Sequence, residues 1–182
     1  MREFQRLVIL VVLSCFSCGC ASPAEKKAVV LPQKAAVNSV IDIDRLKRGG
    51  NLLIVPFRAG AGVAATVELD RTALSIVQGL ADTLQNSSAS FKILTDENAD
   101  QAELILKGHI IKMEESKGIK KWMGGKKYLA AQSGISDQKT NELIANFDFS
   151  AVPGDSKTDY KKLGYQIGEQ IGQFILRRLN SD

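Results

Sequence analysis

Runs of apolar residues separated by polar and glycine-rich stretches predict an ordered series of strands and helices. Within residues 51–57, the continuous apolar run from Leu52 to Val55, which Pro56 ends, is typical of a strand buried on both faces. A loop with glycines follows at 58–66. Apolar residues then recur every three or four positions over residues 67–85, which predicts an amphipathic helix.

The next part of the chain predicts further strands. Residues 91–95 are expected to form a short strand, and the polar connection at 96–101 is long enough for one helical turn. A longer strand is expected over 103–113. Two apolar segments, 128–136 and 141–152, flank a polar turn, so they are predicted to form a hairpin.

The end of the chain has the clearest periodicity. In the second arm of the hairpin, Leu143, Ala145, Phe147 and Phe149 are expected to point inward and to alternate with outward Asn146, Asp148 and Ser150. A final amphipathic helix is predicted over residues 158–179. Beside its apolar stripe, glycine recurs every fourth residue, at Gly164, Gly168 and Gly172. Each glycine costs a helix ~1 kcal/mol relative to alanine, so these positions indicate close packing on the sheet or a contact with another subunit.

The element order β-α-β-β-β-β-α predicts an α/β domain in which two main helices pack on a mixed five-stranded sheet. The chain of 182 residues has room for one such domain, assigned to residues 40–182. Residues 40–46 are expected to begin it as a turn or edge segment. Residues 20–39 are rich in alanine, lysine and proline, which predicts a flexible tether.

The first residues have the composition of an export signal. Two arginines precede an apolar run at 7–13, and small residues then lead to Cys20. The end of the signal resembles the lipobox of bacterial lipoproteins, which implies removal of residues 1–19 and lipidation of Cys20, with palmitate as a typical acyl group. Cys15 and Cys18 are alternative lipidation sites. An ordinary cleaved signal and an uncleaved anchor also remain open, although the run is shorter than the ~20 residues that span a bilayer.

Acylation of Cys20 with two or more chains would hold the protein stably on a membrane. By the rule for such lipoproteins, Ala21 favours the outer membrane, with the domain facing the periplasm. All three cysteines lie at or before Cys20, so the domain itself has no disulfide and no thiol ligand. A net charge of +4 is too small to indicate nucleic-acid binding.

Two short motifs add a resemblance to a known family. The run from Leu52 that ends in Pro56 and Phe57, and the strand from Ala102 through Glu103 and Gly108 to Ile110, are followed by a hairpin and a helix. This pattern, over roughly residues 50–180, resembles envelope lipoproteins that include the curli secretion lipoprotein, the Pel polysaccharide export lipoprotein and an uncharacterised lipoprotein domain of similar length. The resemblance implies an anticodon-binding-like or curli-lipoprotein-like fold, often assembled into rings beside the outer membrane.

The length of this chain indicates which members of the family it resembles more. The curli lipoprotein builds its pore from additional long hairpins, and this chain has no spare segments of that kind. A periplasmic collar of the Pel type, without its own barrel, fits the length better.

Two candidate sites have simpler structural explanations. Residues 60–65 fit the dinucleotide pattern G-x-G-x-x-A, but Asp82 and Asp96 do not supply its acidic residue at the required place. His109 is the only histidine and lies within a predicted strand, without a nucleophile elbow or a second histidine. We therefore expect no cofactor, no metal and no catalytic residue.

A basic loop at residues 117–127 is the most informative surface feature. It contains the only tryptophan and five lysines, and the candidate contact residues are Lys117, Lys120, Lys121, Trp122, Met123, Lys126 and Lys127. Tryptophan favours the membrane interface, and lysine near anionic lipid contributes ~1 kcal/mol. The loop could contact the membrane, an acidic polysaccharide or a partner protein, or it could be solvated with Trp122 folded back.

The sequence thus predicts a non-enzymatic, lipid-anchored scaffold or accessory protein of envelope assembly or export, which could form a ring. Its partners would be membrane lipid through Cys20, envelope proteins or polysaccharide, and other copies of itself. The alternative is a regulatory binding module that activates a cell-wall enzyme. An enzyme or nucleotide binder is the third hypothesis, and it depends on the glycine loop alone.

Overall fold

The computed structural model describes residues 29–31, 38–87, 91–94, 96–115, 127–153 and 158–181. Within these residues, two long helices and one short helix accompany a single sheet. In chain order the elements are β1 (Val29–Leu31), β2 (Ser39–Val40), α1 (Ile43–Arg48), β3 (Gly50–Ile54), β4 (Arg58–Ala59), α2 (Val67–Gln85), β5 (Phe91–Leu94), a 3-10 helix (Asp96–Gln101), β6 (Leu104–Glu115), β7 (Lys127–Asp137), β8 (Leu143–Val152) and α3 (Tyr160–Leu179).

The sheet is mixed, as the sequence predicts. Its strand order is β1-β8-β7-β6-β3-β5, and two short strands lie off this path, β2 on β8 and β4 on β6. Strand β3 is parallel to β5 and β6, whereas β6, β7 and β8 form an antiparallel meander. Helix α2 supplies the long crossover that the parallel pair β3 and β5 requires. The five predicted strands are β3 and β5 to β8; β1, β2 and β4 were not predicted.

Strand β3 is buried on both faces, which explains its lack of alternation. Leu52 is fully buried in the main core beneath the two long helices. Leu53, on the opposite face, packs with Leu94 and Ala102 in a second, smaller cluster. The prediction that a continuous apolar run marks a doubly buried strand is confirmed.

The two long helices begin at side-chain caps. Thr66 accepts a hydrogen bond from the backbone N–H of Leu69 (3.1 Å), and Asp159 accepts one from Lys162 (2.8 Å). Such caps satisfy N–H groups that have no partner within the helix. Helix α2 has the predicted bounds, and α3 begins two residues later than predicted because Asp159 is its cap.

Strand β8 departs from the predicted alternation at both ends. Leu143 was expected to point inward, but its exposed fraction is 47%, and Ile144 is buried instead. The pairing of β7 with β8 shifts register between Ile135 and Ser136, and a one-residue shift reverses the faces of the side chains beyond it. Further along, Asp148 and Ser150 are buried although they were expected to point to solvent.

Two additional strands pair with the outer edge of β8 in this region. Val29–Leu31 pairs with residues 150–152, and Ser39–Val40 pairs with residues 145–146. The sequence predicts a flexible tether over residues 20–39. Strand β1 lies within this segment, and β2 contains its last residue and the residue that follows. Part of that segment is therefore joined to the sheet.

Helix α1 occupies the segment that was predicted as a turn or edge. Asp42 caps it by accepting a hydrogen bond from Arg45 N–H (2.8 Å). The Arg45 guanidinium then donates to Asp137 Oδ2 (2.9 Å) and lies 3.7 Å from Glu103 Oε2. This cation ties α1 to the turn between β7 and β8 and to the start of β6.

The Arg45–Asp137 contact predicts a pH dependence of stability. The Arg45 hydrogen bond, followed by the backbone N–H groups of Lys139 and Thr140, lowers the pKa of Asp137. Because the folded pKa lies below the unfolded value of 3.8, the contribution to stability is complete above that value and is lost as the pH falls below it. Asp137→Asn should therefore be less stable than the wild type at pH 7, and the difference should shrink below about pH 4.

Urea unfolding at several pH values measures this effect. Asp100→Asn, at an exposed position, is the matched control and should keep the pH profile of the wild type. Parallel profiles for the wild type and Asp137→Asn would contradict the assignment.

Candidate membrane-facing end and partner surfaces

One end of the domain, which we call the loop end, collects the features that the sequence singles out. Here β6 ends at Glu115, opposite the first residue of β7, Lys127. Strand β8 also ends here, and helices α2 and α3 begin here because each follows a strand that runs toward this end. The basic loop joins β6 to β7 and therefore leaves the sheet at the loop end.

Of the seven predicted contact residues in the basic loop, Lys127 lies within the described residues. Its ammonium group is 5.0 Å from the centroid of the Tyr160 ring, a cation–π contact. Lys112 is placed similarly, 5.2 Å from the Tyr128 ring. The others, Lys117, Lys120, Lys121, Trp122, Met123 and Lys126, lie outside the described residues, as does Cys20.

A cavity of about 660 Å³ opens at the loop end, and Gly62, Thr66, Glu68, Met113, Glu115 and Tyr160 are among its lining residues. Burial raises the pKa of Tyr160 to about 12, and the carboxylates of Glu115, Glu68 and Glu114 add to this rise. The Tyr160 hydroxyl therefore stays protonated near neutral pH and can act as a hydrogen-bond donor. The cavity lining combines carboxylates, the neutral phenol of Tyr160 and the ammonium group of Lys112.

The chain toward Cys20 also leaves the sheet at the loop end. Val29, the first described residue, is paired with Val152, the last residue of β8. Leu129 pairs with Ala151 on the other side of β8, close to the start of β7. The N-terminal segment thus leaves β1 and the basic loop leaves β7 at the same end of the sheet, on the two sides of β8.

The glycine loop has a packing role. The N–H of Gly60 donates to Ile110 O (2.9 Å), and a Cβ at Gly60 would lie 3.0 Å from that same oxygen. Gly62 has a φ of +80°, which glycine adopts without strain. Asp82, which has the spacing of the acidic residue in a dinucleotide site, lies on α2 and accepts a hydrogen bond from Tyr165 Oη (3.0 Å).

His109 lies on the open face of the sheet, next to Gln132 of β7. Its side chain is exposed. The part of the chain that the structure describes contains no cluster of three or more histidine, cysteine, aspartate or glutamate residues that could hold a metal ion.

The three glycines of α3 face α2, not the sheet that the sequence prediction named. A Cβ at Gly164 would lie 2.7 Å from the backbone oxygen of Thr72, and one at Gly172 would lie 2.7 Å from Thr83 Cγ2. A Cβ at Gly168 would overlap the backbone of Ile76 and Leu80. Gly79 of α2 makes the reciprocal approach to the backbone of Tyr165. Both helices therefore use glycine to bring their backbones together.

Sequence reasoning missed the residues that hold the N-terminal strands against β8. Asn38 Oδ1 accepts from the backbone N–H of Asp148 (2.6 Å), and Ser39 Oγ donates to Asn146 Oδ1 (2.5 Å). The one available signal is the apolar triplet Val29–Leu31 inside an otherwise polar segment. Three residues are too few for periodicity to separate a strand from a linker.

Among the described residues, four large apolar side chains are exposed, and they lie in two separate regions of the surface. Val67 and Leu74 lie two turns apart on α2, with exposed fractions of 66% and 59%. Ile41 and Leu143 line a second cavity, of about 590 Å³, beside α1. Exposed apolar groups of this size are candidates for contacts with another protein surface.

The fold is shared with proteins of known structure. It is similar to the PelC dodecamer from Paraburkholderia phytofirmans, with a TM-score of 0.50 and 14% identity over 85% of this chain and 99% of that one. The resemblance to the Pel export lipoprotein that the sequence predicted is thus confirmed at the level of the fold. Lipoprotein GNA1162 from Neisseria meningitidis also matches, with a TM-score of 0.43 and 10% identity over 69% of this chain and 97% of that one.

No family model and no curated protein matches the sequence. Within the described residues, no helix combines the length and the apolar character needed to span a bilayer.

Proposed function

We propose that this chain is a lipid-anchored, non-enzymatic accessory protein of envelope assembly or export, held at the outer membrane and facing the periplasm. The observation that carries this proposal is that the chain toward Cys20 and the basic loop leave the domain at one end. A lipid on Cys20 would bring that end, and no other, close to the bilayer.

The number of residues between Cys20 and β1 supports this orientation. Residues 20–28 reach at most ~30 Å when fully extended, and as a flexible chain they have a root-mean-square span of ~15–18 Å. Strand β8, with ten residues, is ~34 Å long. A tether that starts at the loop end therefore holds that end near the membrane, and the opposite end, with α1, lies a strand length further away.

The basic loop then gives the anchored domain a second contact with its membrane. Trp122 suits the interface between headgroups and hydrocarbon, and the lysines suit anionic headgroups. Lys127 is held over Tyr160 at the base of this loop, at the loop end.

We infer further that several copies assemble into a ring. The fold is shared with PelC, whose structure is a dodecamer. The two separate exposed apolar places on this domain suit a ring, because head-to-tail assembly uses two different surfaces of each copy.

Lipidation of Cys20 is the testable core of the proposal. Cys20→Ser should abolish incorporation of labelled palmitate, because it removes the thiol at the predicted lipidation site. Labelling of the full chain in bacterial cells measures this incorporation, and fractionation shows whether the wild type is held in the membrane.

Cys15→Ser and Cys18→Ser are the matched controls, and both should keep the label and the membrane location. If Cys20→Ser is labelled as strongly as the wild type and one of the controls loses the label, the lipid is attached to the cysteine that this control replaces. Absence of label in the wild type would refute the anchor.

A further inference from the structure

An uncharged stretch of chain, from Ala59 to Val67, leads from β4 into α2 at the loop end. Its residues 61–67, which we call the uncharged tip, are exposed apart from the partly buried Val63. A Cβ at Gly62 would meet no atom within 4 Å, so the tip projects into open space. Val67, its last residue, is 66% exposed. The packing of Gly60 against β6 leaves the exposure of these uncharged residues unexplained.

Part of the backbone of this loop finds hydrogen-bond partners within the chain. The N–H of Gly60 donates to Ile110 O (2.9 Å), and the N–H of Val63 donates to Gly60 O (3.1 Å), which closes a turn. The hydroxyl oxygen of Thr66 then caps α2. Backbone groups that lack a partner resist transfer from water to lipid. These hydrogen bonds therefore lower the cost of bringing the tip against a lipid surface.

The uncharged tip lies across the loop end from the exit of the tether. The tether leaves from β1 at one edge of the sheet, and the basic loop leaves between β6 and β7. The tip follows β4, which pairs with β6 on the side away from β7. Four strand spacings, or ~19 Å, separate β1 from β4. A contact on this far side would hold upright a domain that is anchored on the other.

We propose that the uncharged tip enters the interface of the membrane that holds the lipid anchor. The inference rests on the proposed function, which brings the loop end to that membrane. The occupant is a lipid surface because the chain toward Cys20 leaves at this end, and residues 20–28 reach at most ~30 Å when fully extended. The tip has no charge whose transfer would oppose entry, and Val67 adds an exposed apolar side chain.

Charged residues directly after the tip limit how far it enters. Glu68 and Asp70 lie in the first turn of α2, and both are exposed. Carboxylates are costly to transfer from water, so the contact is confined to the boundary between headgroups and acyl chains. Leu74 lies ~10 Å further along the helix than Val67 and stays available to a neighbouring copy.

Fluorescent labels on single cysteines test the contact. Removal of residues 1–19 and acylation of Cys20 leave no free thiol, so one introduced cysteine takes the label. The lipoprotein made from full-length Ala64→Cys is placed in phosphatidylcholine vesicles whose lipids carry nitroxide quenchers on their acyl chains. Its label should lose most of its emission. Gln78→Cys, at an exposed position further along α2, is the matched control, and its label should keep its emission.

A charge placed on the tip provides a second comparison. Val67→Glu in the Ala64→Cys protein should remove most of the quenching, because the added carboxylate resists entry. Gln78→Glu adds the same charge to the same helix away from the tip and should leave the quenching unchanged. Quenching that persists in Val67→Glu, or that both variants remove equally, would overturn the contact of the tip with lipid.

A label on Lys161→Cys, at an exposed position in the first turn of α3, separates this inference from the proposed function. Quenchers on the lipid headgroups then report whether the loop end approaches the membrane. If this label is quenched and the label on Ala64→Cys is not, the tip contact is overturned and the orientation stands. If neither label is quenched in a protein that carries palmitate, both are overturned. An emission shift of the Ala64→Cys label without quenching would show that protein covers the tip, which also overturns the contact.

Discussion

Replacement of Gly168 with alanine is expected to destabilise the domain by ~2 kcal/mol. The added Cβ would overlap the backbone oxygen of Ile76 and lie 2.7 Å from the backbone nitrogen of Leu80. Backbone atoms inside a helix cannot turn aside, so the two helices must separate, and overpacking of this kind costs ~1–3 kcal/mol. Alanine gains up to ~1 kcal/mol of helix propensity, which offsets only part of the loss. The free energy of unfolding in urea measures the difference.

The other glycines of α3 provide a graded series. At Gly172 the neighbour is the Thr83 side chain, which can adjust, so Gly172→Ala should cost less than Gly168→Ala. Gln173→Ala, at an exposed position of the same helix, controls for propensity alone. Unchanged or increased stability of Gly168→Ala would contradict the close approach of α2 and α3.

This contact also shows why the sequence prediction assigned the glycine repeat to the wrong neighbour. The spacing of Gly164, Gly168 and Gly172 showed that one face of the helix approaches something closely, and the structure identifies that partner as α2. Periodicity defines a face of a helix, but it does not say which element covers that face. Only the reciprocal Gly79 on α2 hinted at the partner.

The sequence predicted elements well where their signals are local. Helix α2 has its predicted bounds because Thr66 caps its start and Asn86 follows its end. Strand β3 was recognisable because both of its faces are apolar. Helix α1 was missed because six residues are too few to show a helical period.

The parts that sequence could not predict depend on contacts between distant residues. Strand β2 places Ser39 beside Asn146, which lies 107 positions further along the chain, and no local pattern reports that pairing. The exposure of Leu143 follows from the register shift where β8 pairs with β7. The composition of the loop end also depends on contacts between distant residues. The basic loop could be recognised from its composition, but its position beside the exit of the tether depends on the pairing of β1 with β8.

Gly108 and Phe57 bring together the two motifs on which the family resemblance was based. Phe57 closes the apolar run that begins at Leu52, and Gly108 lies in the strand that begins after Glu103. In the structure the buried Phe57 ring covers Gly108, and a Cβ there would lie 2.6 Å from Phe57 Cδ1. The two motifs therefore belong together because glycine makes room in β6 for an aromatic ring.

Gly108→Ala should accordingly lower the free energy of unfolding by ~1–3 kcal/mol through overpacking against the ring. In a Phe57→Leu background the smaller side chain leaves space, so the same substitution should cost less, with a coupling energy of ~0.5–3 kcal/mol. Gly134→Ala in β7 is the matched control, since its nearest side-chain neighbour is the exposed Leu143, which can move. A full double-mutant cycle in urea measures the coupling. Strict additivity of Gly108→Ala and Phe57→Leu would show that the ring does not occupy the space above Gly108, and the physical basis of the shared motifs would then have to lie elsewhere in the sheet.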